Sequence, residues 1–337
     1  MSINNENNMA EEHVNIIRKS TRDLLNHNRK IQKDAVSDSH RPVSDISIKE
    51  EDIITIANKL KTKSKVSSHE LLMVKNEIMD NLRYIEVILN VHGALRGITR
   101  ELTGRNAENK QAAAGCCCNL ALGDERACAV VAKVMGSYLT TELDSLNNEL
   151  AVTCAWALGN LAGSGRKACT VLKDQGAFAK LIDLLANEEL RNAALYALEH
   201  YASQMKDDLR SEHLSKMLSS ISQIGVNTET ARLLFILSCH NDFVTYLTED
   251  LLLKTLQYLP VSIVNSDSQL VYIIRTLGNS ENYNVILNYF LSNNMNLAFK
   301  QLLGEDNSVL NYSLLWLLGN LYKYDASNIF FKSLLSS

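Results

Sequence analysis

The chain of 337 residues is longer than a single hydrophobic core usually serves, so its length implies two domains or an elongated repeat array. Two prolines, Pro42 and Pro260, few aromatic residues, and long Leu-, Ala-, Asn-, Ser- and Lys-rich stretches without strand-like alternation favour helix. The formal charge of -4 is unevenly spread, with a basic arm attached to an acidic body; neither nucleic acid nor a membrane is an expected partner.

From the start, MSINNENNMAEEH lacks a basic stretch leading into an apolar run and reads as no secretory signal. Between Ile17 and Lys33 stand Arg18, Lys19, Arg22, Arg29, Lys30 and Lys33 against the single acid Asp23, a local excess of +5 that predicts a basic helix over 17–33. DAVSDSHRPVSD, residues 34–45, is polar and holds Pro42, as a linker would. The expected boundaries are therefore a flexible segment 1–45 and a helical domain 46–337. No stretch approaches the roughly 20 uninterrupted apolar residues that a membrane-spanning helix needs.

The domain repeats itself. QAAAGCCCNLALG, VTCAWALGNLAG, RNAALYALEHYAS, TARLLFILSCHND, LVYIIRTLGNSEN and YSLLWLLGNLYKY align so that one position holds Gly115, Trp156, Tyr196, Phe235, Arg275 and Trp316, spaced 41, 40, 39, 40 and 41 residues apart. Four residues later, one helical turn on the same face, stand Asn119, Asn160, His200, Cys239, Asn279 and Asn320. Glycines at Gly93, Gly136 and Gly176 mark sharp turns between a short helix and the next. Each unit reads as short helix, glycine turn, second helix, then a longer apolar helix. Such units bury their apolar faces only by stacking, and the third helices would line the concave side.

A recurrent asparagine in an apolar helix must bond something, either the neighbouring repeat's backbone or an extended ligand. Phe235 and Cys239 read as core. The cysteines, three of them consecutive at Cys116, Cys117 and Cys118, form no CxxC pair and sit in apolar segments, so they read as small buried hydrophobes in a reducing compartment; no metal and no cofactor are expected. No phosphate-cradling glycine loop, GxSxG motif or placed carboxylate pair is present, and His92, His200 and His240 fall at helix ends or inner faces. An enzymatic role is not expected.

ELAVTCAWALGNLAGSGRKACTVLKDQGAFAKLIDLLA resembles an armadillo repeat, in particular those of importin alpha, the adaptor for nuclear localisation signals. The resemblance runs over residues 88–325, with six units and a degenerate one, ISIKEEDIITIANKLKTKSKVSSHELLMVKNEIM, before them. It implies an all-α, right-handed superhelical solenoid of about six to seven three-helix repeats behind a basic arm. IRKSTRDLLNHNRKIQ resembles the end of that family's importin-beta-binding segment, which would give Arg18, Lys19, Arg22, Arg29 and Lys30 that role; Asn28 stands in place of a lysine, and the family's arginine-rich first half is missing.

The implied function is an adaptor that carries basic nuclear localisation-type peptides into the nucleus, found in cytoplasm and nucleus. Tryptophan walls would hold lysine stems by cation–π attraction, and asparagines would bond the peptide main chain. The implied peptide contacts are Asn119, Gly123, Trp156, Asn160, Ser164, Tyr196, His200, Arg275, Asn279, Trp316 and Asn320. Three departures bear on this. Gly115 lacks the tryptophan wall, Tyr196 and His200 replace a Trp/Asn rung, and Ser164 stands where the family has its key aspartate, a charge-assisted contact worth about 1.5 to 3 kcal/mol. The alternative is a non-enzymatic armadillo scaffold that binds another extended peptide or protein, as in the short, degenerate relatives grouped with transmembrane and coiled-coil domain-containing protein 6, which this chain also resembles.

Overall fold

A computed structural model describes residues 49–325 and 329–335, and every regular element among them is helical. The basic segment 17–33, with Arg18, Lys19, Arg22, Arg29 and Lys30, and the linker 34–45 lie outside the described residues. Two compact units divide at Met205 and Lys206.

The first unit contains α1 (Glu50–Lys61), α2 (Ser68–Asp80), α3 (Arg83–Asn90), α4 (Ala94–Leu102), α5 (Ala107–Leu120), α6 (Glu125–Glu142), α7 (Asn148–Ser164), α8 (Arg166–Asp174), α9 (Ala177–Asp183) and α10 (Arg191–Met205). Here α5 packs on α2, α7 on α5 and α10 on α7, which is the serial stacking of third helices that defines armadillo-type repeats. The second unit contains α11 (Ser211–Ile224), α12 (Ala231–Ser238), α13 (Phe243–Tyr246), α14 (Glu249–Val264), α15 (Leu270–Asn279), α16 (Tyr283–Ser292), α17 (Met295–Leu303), α18 (Ser308–Tyr322) and α19 (Ile329–Leu335). Its third helices stack in the same way, α15 on α12 and α18 on α15. Its core gathers Phe290, Phe299 and Phe330 with the buried leucines and isoleucines of α14 to α18, the first two rings meeting edge to face at 4.9 Å.

Each third helix is started by the same local chemistry. Asn106, Asn147, Asn187, Asn227, Asp267 and Asn307 recur at spacings of 41, 40, 40, 40 and 40. Asn106, Asn147 and Asn307 accept hydrogen bonds from the backbone N–H of Asn109, Leu150 and Leu310 at 3.0, 3.3 and 3.1 Å. Asn227 accepts from Thr230 N–H at 3.0 Å, Asn187 from Glu189 N–H at 3.0 Å, and Asp267 from Gln269 N–H at 2.9 Å. At Asn106, Asn147 and Asn307 the side chain thus satisfies a helix-start donor that has no intrahelical partner, whereas at Asn187, Asn227 and Asp267 it closes the turn that leads into the helix.

The glycine marks divide. Gly93 and Gly176 do turn the chain, with φ of 101° and 78°, a conformation that costs other residues dearly. In the repeat of α16 and α17, Asn294 takes that place with φ of 51°. Gly136 corrects the expectation of a turn: it lies inside the unbroken α6, which replaces two short helices by one of 18 residues. A methyl group there would sit 2.1 Å from Gln175 Oε1 and 2.7 Å from Leu172 Cδ2, so this glycine provides a close approach instead. Gln175 uses the proximity to donate to the Ala132 carbonyl at 3.2 Å. Pro260, too, lies inside a helix, α14, rather than interrupting the chain.

Six of the seven cysteines are buried, and Cys239 is half-buried. Cys128 and Cys169, one period apart, donate through sulfur to Ala121 O at 3.3 Å and Ala162 O at 3.1 Å, capping carbonyls at the ends of α5 and α7. A thiol acts as donor only while protonated, and burial pushes the Cys169 thiol up to about 12. Burial likewise pushes Cys116 up to about 12 and Cys239 up to about 11.

Two outcomes follow. Native protein at pH 8 should leave nearly all its thiols unalkylated by iodoacetamide, and urea should expose all seven, as counted by mass spectrometry. Gly97→Ala should lower stability by about 1 to 3 kcal/mol in urea titration despite alanine's helix preference, because its methyl would meet the Leu60 carbonyl oxygen of α1 at 2.5 Å.

Candidate peptide-binding face

The recurrent asparagines bond backward to the preceding repeat. Asn119 Nδ2 donates to the Lys75 carbonyl at 2.7 Å, and Asn160 Nδ2 to the Cys118 carbonyl at 3.2 Å, so α5 is tied to α2 and α7 to α5. In the second unit, Asn279 Nδ2 donates to Ser238 Oγ at 2.9 Å, joining α15 to α12. Of the two uses open to such an asparagine, a neighbour's backbone accounts for Asn119 and Asn160. Asn160 is occupied on its acceptor side as well, because the Tyr196 hydroxyl donates to its Oδ1 at 2.6 Å.

Two of the aromatic positions likewise pack backward, onto a glycine of the preceding repeat. A methyl group on Gly159 would lie 2.6 Å from the Tyr196 ring, and one on Gly278 would lie 2.1 Å from the ring of Trp316. Glycine three residues after the aromatic position therefore forms a seat for the ring of the following repeat. Tyr196, His200 and Arg275 are 4%, 1% and 3% exposed, which corrects the expectation that they offer a face to a ligand. The Tyr196 and His200 rings meet edge to face at 4.4 Å, and Arg275 Nε donates to Ser313 Oγ at 2.9 Å. Gly123 closes the turn from α5 to α6, within 2.8 Å of contact with Ala127 Cβ had it a methyl of its own. Ser164 donates back to the Leu161 carbonyl at 2.7 Å, as a helix-end serine does.

What remains open in the first unit centres on Trp156. Its indole is half-buried and tilts against Tyr196 with ring centroids 4.1 Å apart. One repeat earlier, the Lys75 side chain occupies the missing wall, with its Cδ 2.8 Å from where a Gly115 methyl would be. In the second unit Trp316 and Asn320 are also half-buried.

An acidic series missed from the sequence accompanies this face. Glu108, Glu149 and Glu189 lie seven residues before Gly115, Trp156 and Tyr196, two helical turns away on the same side. All three are exposed, and among the described residues none is paired with a lysine or arginine. Glu108 accepts from Ser68 Oγ at 3.1 Å, Glu149 from Gln111 Nε2 at 3.3 Å, and Glu189 from the Asn148 amide. Their signal was available as an Asn-x-Glu motif recurring at the helix starts, where acids also favour the helix dipole.

No protein-family model matches the chain, and no curated protein matches it. Among solved structures, an engineered protein from the Northeast Structural Genomics Consortium is similar with a TM-score of 0.68 at 18% identity, over 80% of this chain and 68% of that one. A designed armadillo repeat protein gives a TM-score of 0.47 at 17% identity over 80% of this chain and 99% of that one. A second, in complex with the peptide (KR)4, gives 0.46 at 17% identity with the same coverage. The first likeness, at 18% identity, is one of fold alone.

Because Asn160 serves two partners, Asn160→Ala should cost about 1 to 3 kcal/mol of stability, and Tyr196→Phe about 1 kcal/mol, as read by urea denaturation. Equal stability of the parent and both variants would show that neither bond holds α7 against its neighbours.

Proposed function

We propose that this chain is a non-enzymatic receptor for an extended basic peptide, laid across the third helices of the first unit at Trp156. The observation that carries the reading is the partly exposed Trp156 indole standing in line with Glu149 and flanked by Glu108 and Glu189, carboxylates that among the described residues have no lysine or arginine partner. A lysine stem lying on the indole gains cation–π and apolar contact, while the carboxylates favour cationic neighbours along the peptide and speed its approach. In its finer form the reading is an importin-alpha-like adaptor for nuclear localisation-type peptides that moves between cytoplasm and nucleus, with importin beta taken by Arg18, Lys19, Arg22, Arg29 and Lys30.

Two features favour a second reading, a scaffold for a different extended partner. Lys75 sets a cation at the Gly115 position, where a lysine ligand would need a wall, and Ser164 brings no carboxylate to the rung of Asn160.

Fluorescence anisotropy with a labelled lysine-rich nuclear localisation peptide at physiological ionic strength separates the two. Saturable binding weakened at least tenfold by Trp156→Ala, and severalfold by Glu149→Gln, is expected of the receptor for basic peptides. Binding unaffected by either substitution would remove this face from the function, and absence of binding would leave the scaffold. Removing residues 1–45 should abolish capture of importin beta if the arm has its implied role.

A further inference from the structure

The rule by which repeats stack leaves one seat empty. Gly159 receives the Tyr196 ring and Gly278 receives Trp316, whereas nothing lies within 4 Å of the place where a side chain on Gly319 would begin. Gly319 belongs to α18, the last long helix among the described residues. Around it Val309, Tyr312, Leu315 and Tyr322 are all exposed. Leu315 is 58% exposed, although its counterparts Ala114, Ala155, Leu234 and Ile274 are each 0% exposed under a following helix. The α18 sequence, SVLNYSLLWLLGNLY, contains no charged residue. A solvent-facing helix ordinarily carries charges on its outer side, so this face has the composition of an interface.

The pattern is also self-complementary. Tyr312, Leu315, Gly319 and Tyr322 lie on one helical stripe, at spacings of three, four and three residues. Two such helices related by a twofold axis and running antiparallel bring Tyr312 of each opposite Tyr322 of the other. The same operation brings Leu315 of each onto the open Gly319 of the other. Isologous interfaces need this property, and absence of charge removes the like-charge repulsion that would oppose self-association.

We propose that the α18 face docks a second copy of this chain, forming a twofold dimer in which each Leu315 fills the Gly319 seat of its partner. The contact uses the same glycine seat as the repeat-to-repeat packing of the second unit, but with the two helices antiparallel and an aliphatic side chain in place of a ring. It does not depend on the peptide-binding reading, since it uses none of the residues around Trp156.

Sedimentation velocity of the full chain from 1 to 100 µM tests the proposal, a span chosen because obligate and transient dimers differ across it. A concentration-dependent dimer is expected, and Leu315→Glu should weaken it at least a hundredfold while leaving the thermal unfolding midpoint of the monomer unchanged. Leu146→Glu, at a fully exposed leucine of the first unit, should leave the dimer intact. Register is read by mixing Tyr312→Cys protein with Tyr322→Cys protein under mild oxidation: a disulfide-linked heterodimer should form in the mixture and not in either alone. A monomer throughout, a dimer insensitive to Leu315→Glu, loss of the dimer in both glutamate variants, or open-ended polymers would each overturn the proposal.

Discussion

The structure depends on the contact between one third helix and the next. An amide reaches back to the preceding helix and an aromatic ring is seated on its glycine, so that Asn160 holds Cys118 while Tyr196 lies on Gly159 and donates to Asn160. At this rung hydrogen bond and close packing thus meet at one point. The bond supplies a partner for a buried polar group that would otherwise be costly, and the glycine lets two apolar helices come near enough for the ring to fill the space between them. No single repeat could bury these surfaces alone.

Seen in this light, the asparagines and the tryptophan do different work. Asn119, Asn160 and Asn279 hold the array together, while the Trp156 indole stays partly exposed beside the Tyr196 ring. The carboxylates of Glu108, Glu149 and Glu189 add a charged margin whose hydrogen bonds to Ser68, Gln111 and Asn148 also reach one repeat back. Structural cohesion and the proposed ligand chemistry lie along the same helices, and a substitution at Asn160 would bear on both.

Much of this was legible in the sequence. The spacing of 39 to 41 residues between Gly115, Trp156, Tyr196, Phe235, Arg275 and Trp316 identified the third helices, each of which is helical in the structure. What the spacing could not carry was direction. A helical wheel groups Trp156 with Asn160 but does not say whether an amide points to a neighbouring carbonyl or outward, and Tyr196, His200 and Arg275 proved to be covered. Gly136 was misread because glycine permits both a turn and a close approach, and only the presence of Gln175 against it distinguishes the two. The helix-start asparagines escaped notice although their period is the most regular in the chain, because single polar residues between apolar runs look like ordinary loop.

Those caps bear on how the array tolerates change in length. Asn106, Asn147 and Asn307 fix the start of their third helices within three residues, independent of the loop that precedes each. An insertion before Asn147 lengthens a loop and leaves α7 in phase. One residue added between Asn147 and Trp156 rotates everything beyond it by about 100° about the helix axis, turning the indole off its face and Asn160 away from Cys118. The connections are therefore free to vary in length, whereas the distance from cap to rung stays at nine residues after Asn106, Asn147, Asn187 and Asn307 and at eight after Asn227 and Asp267.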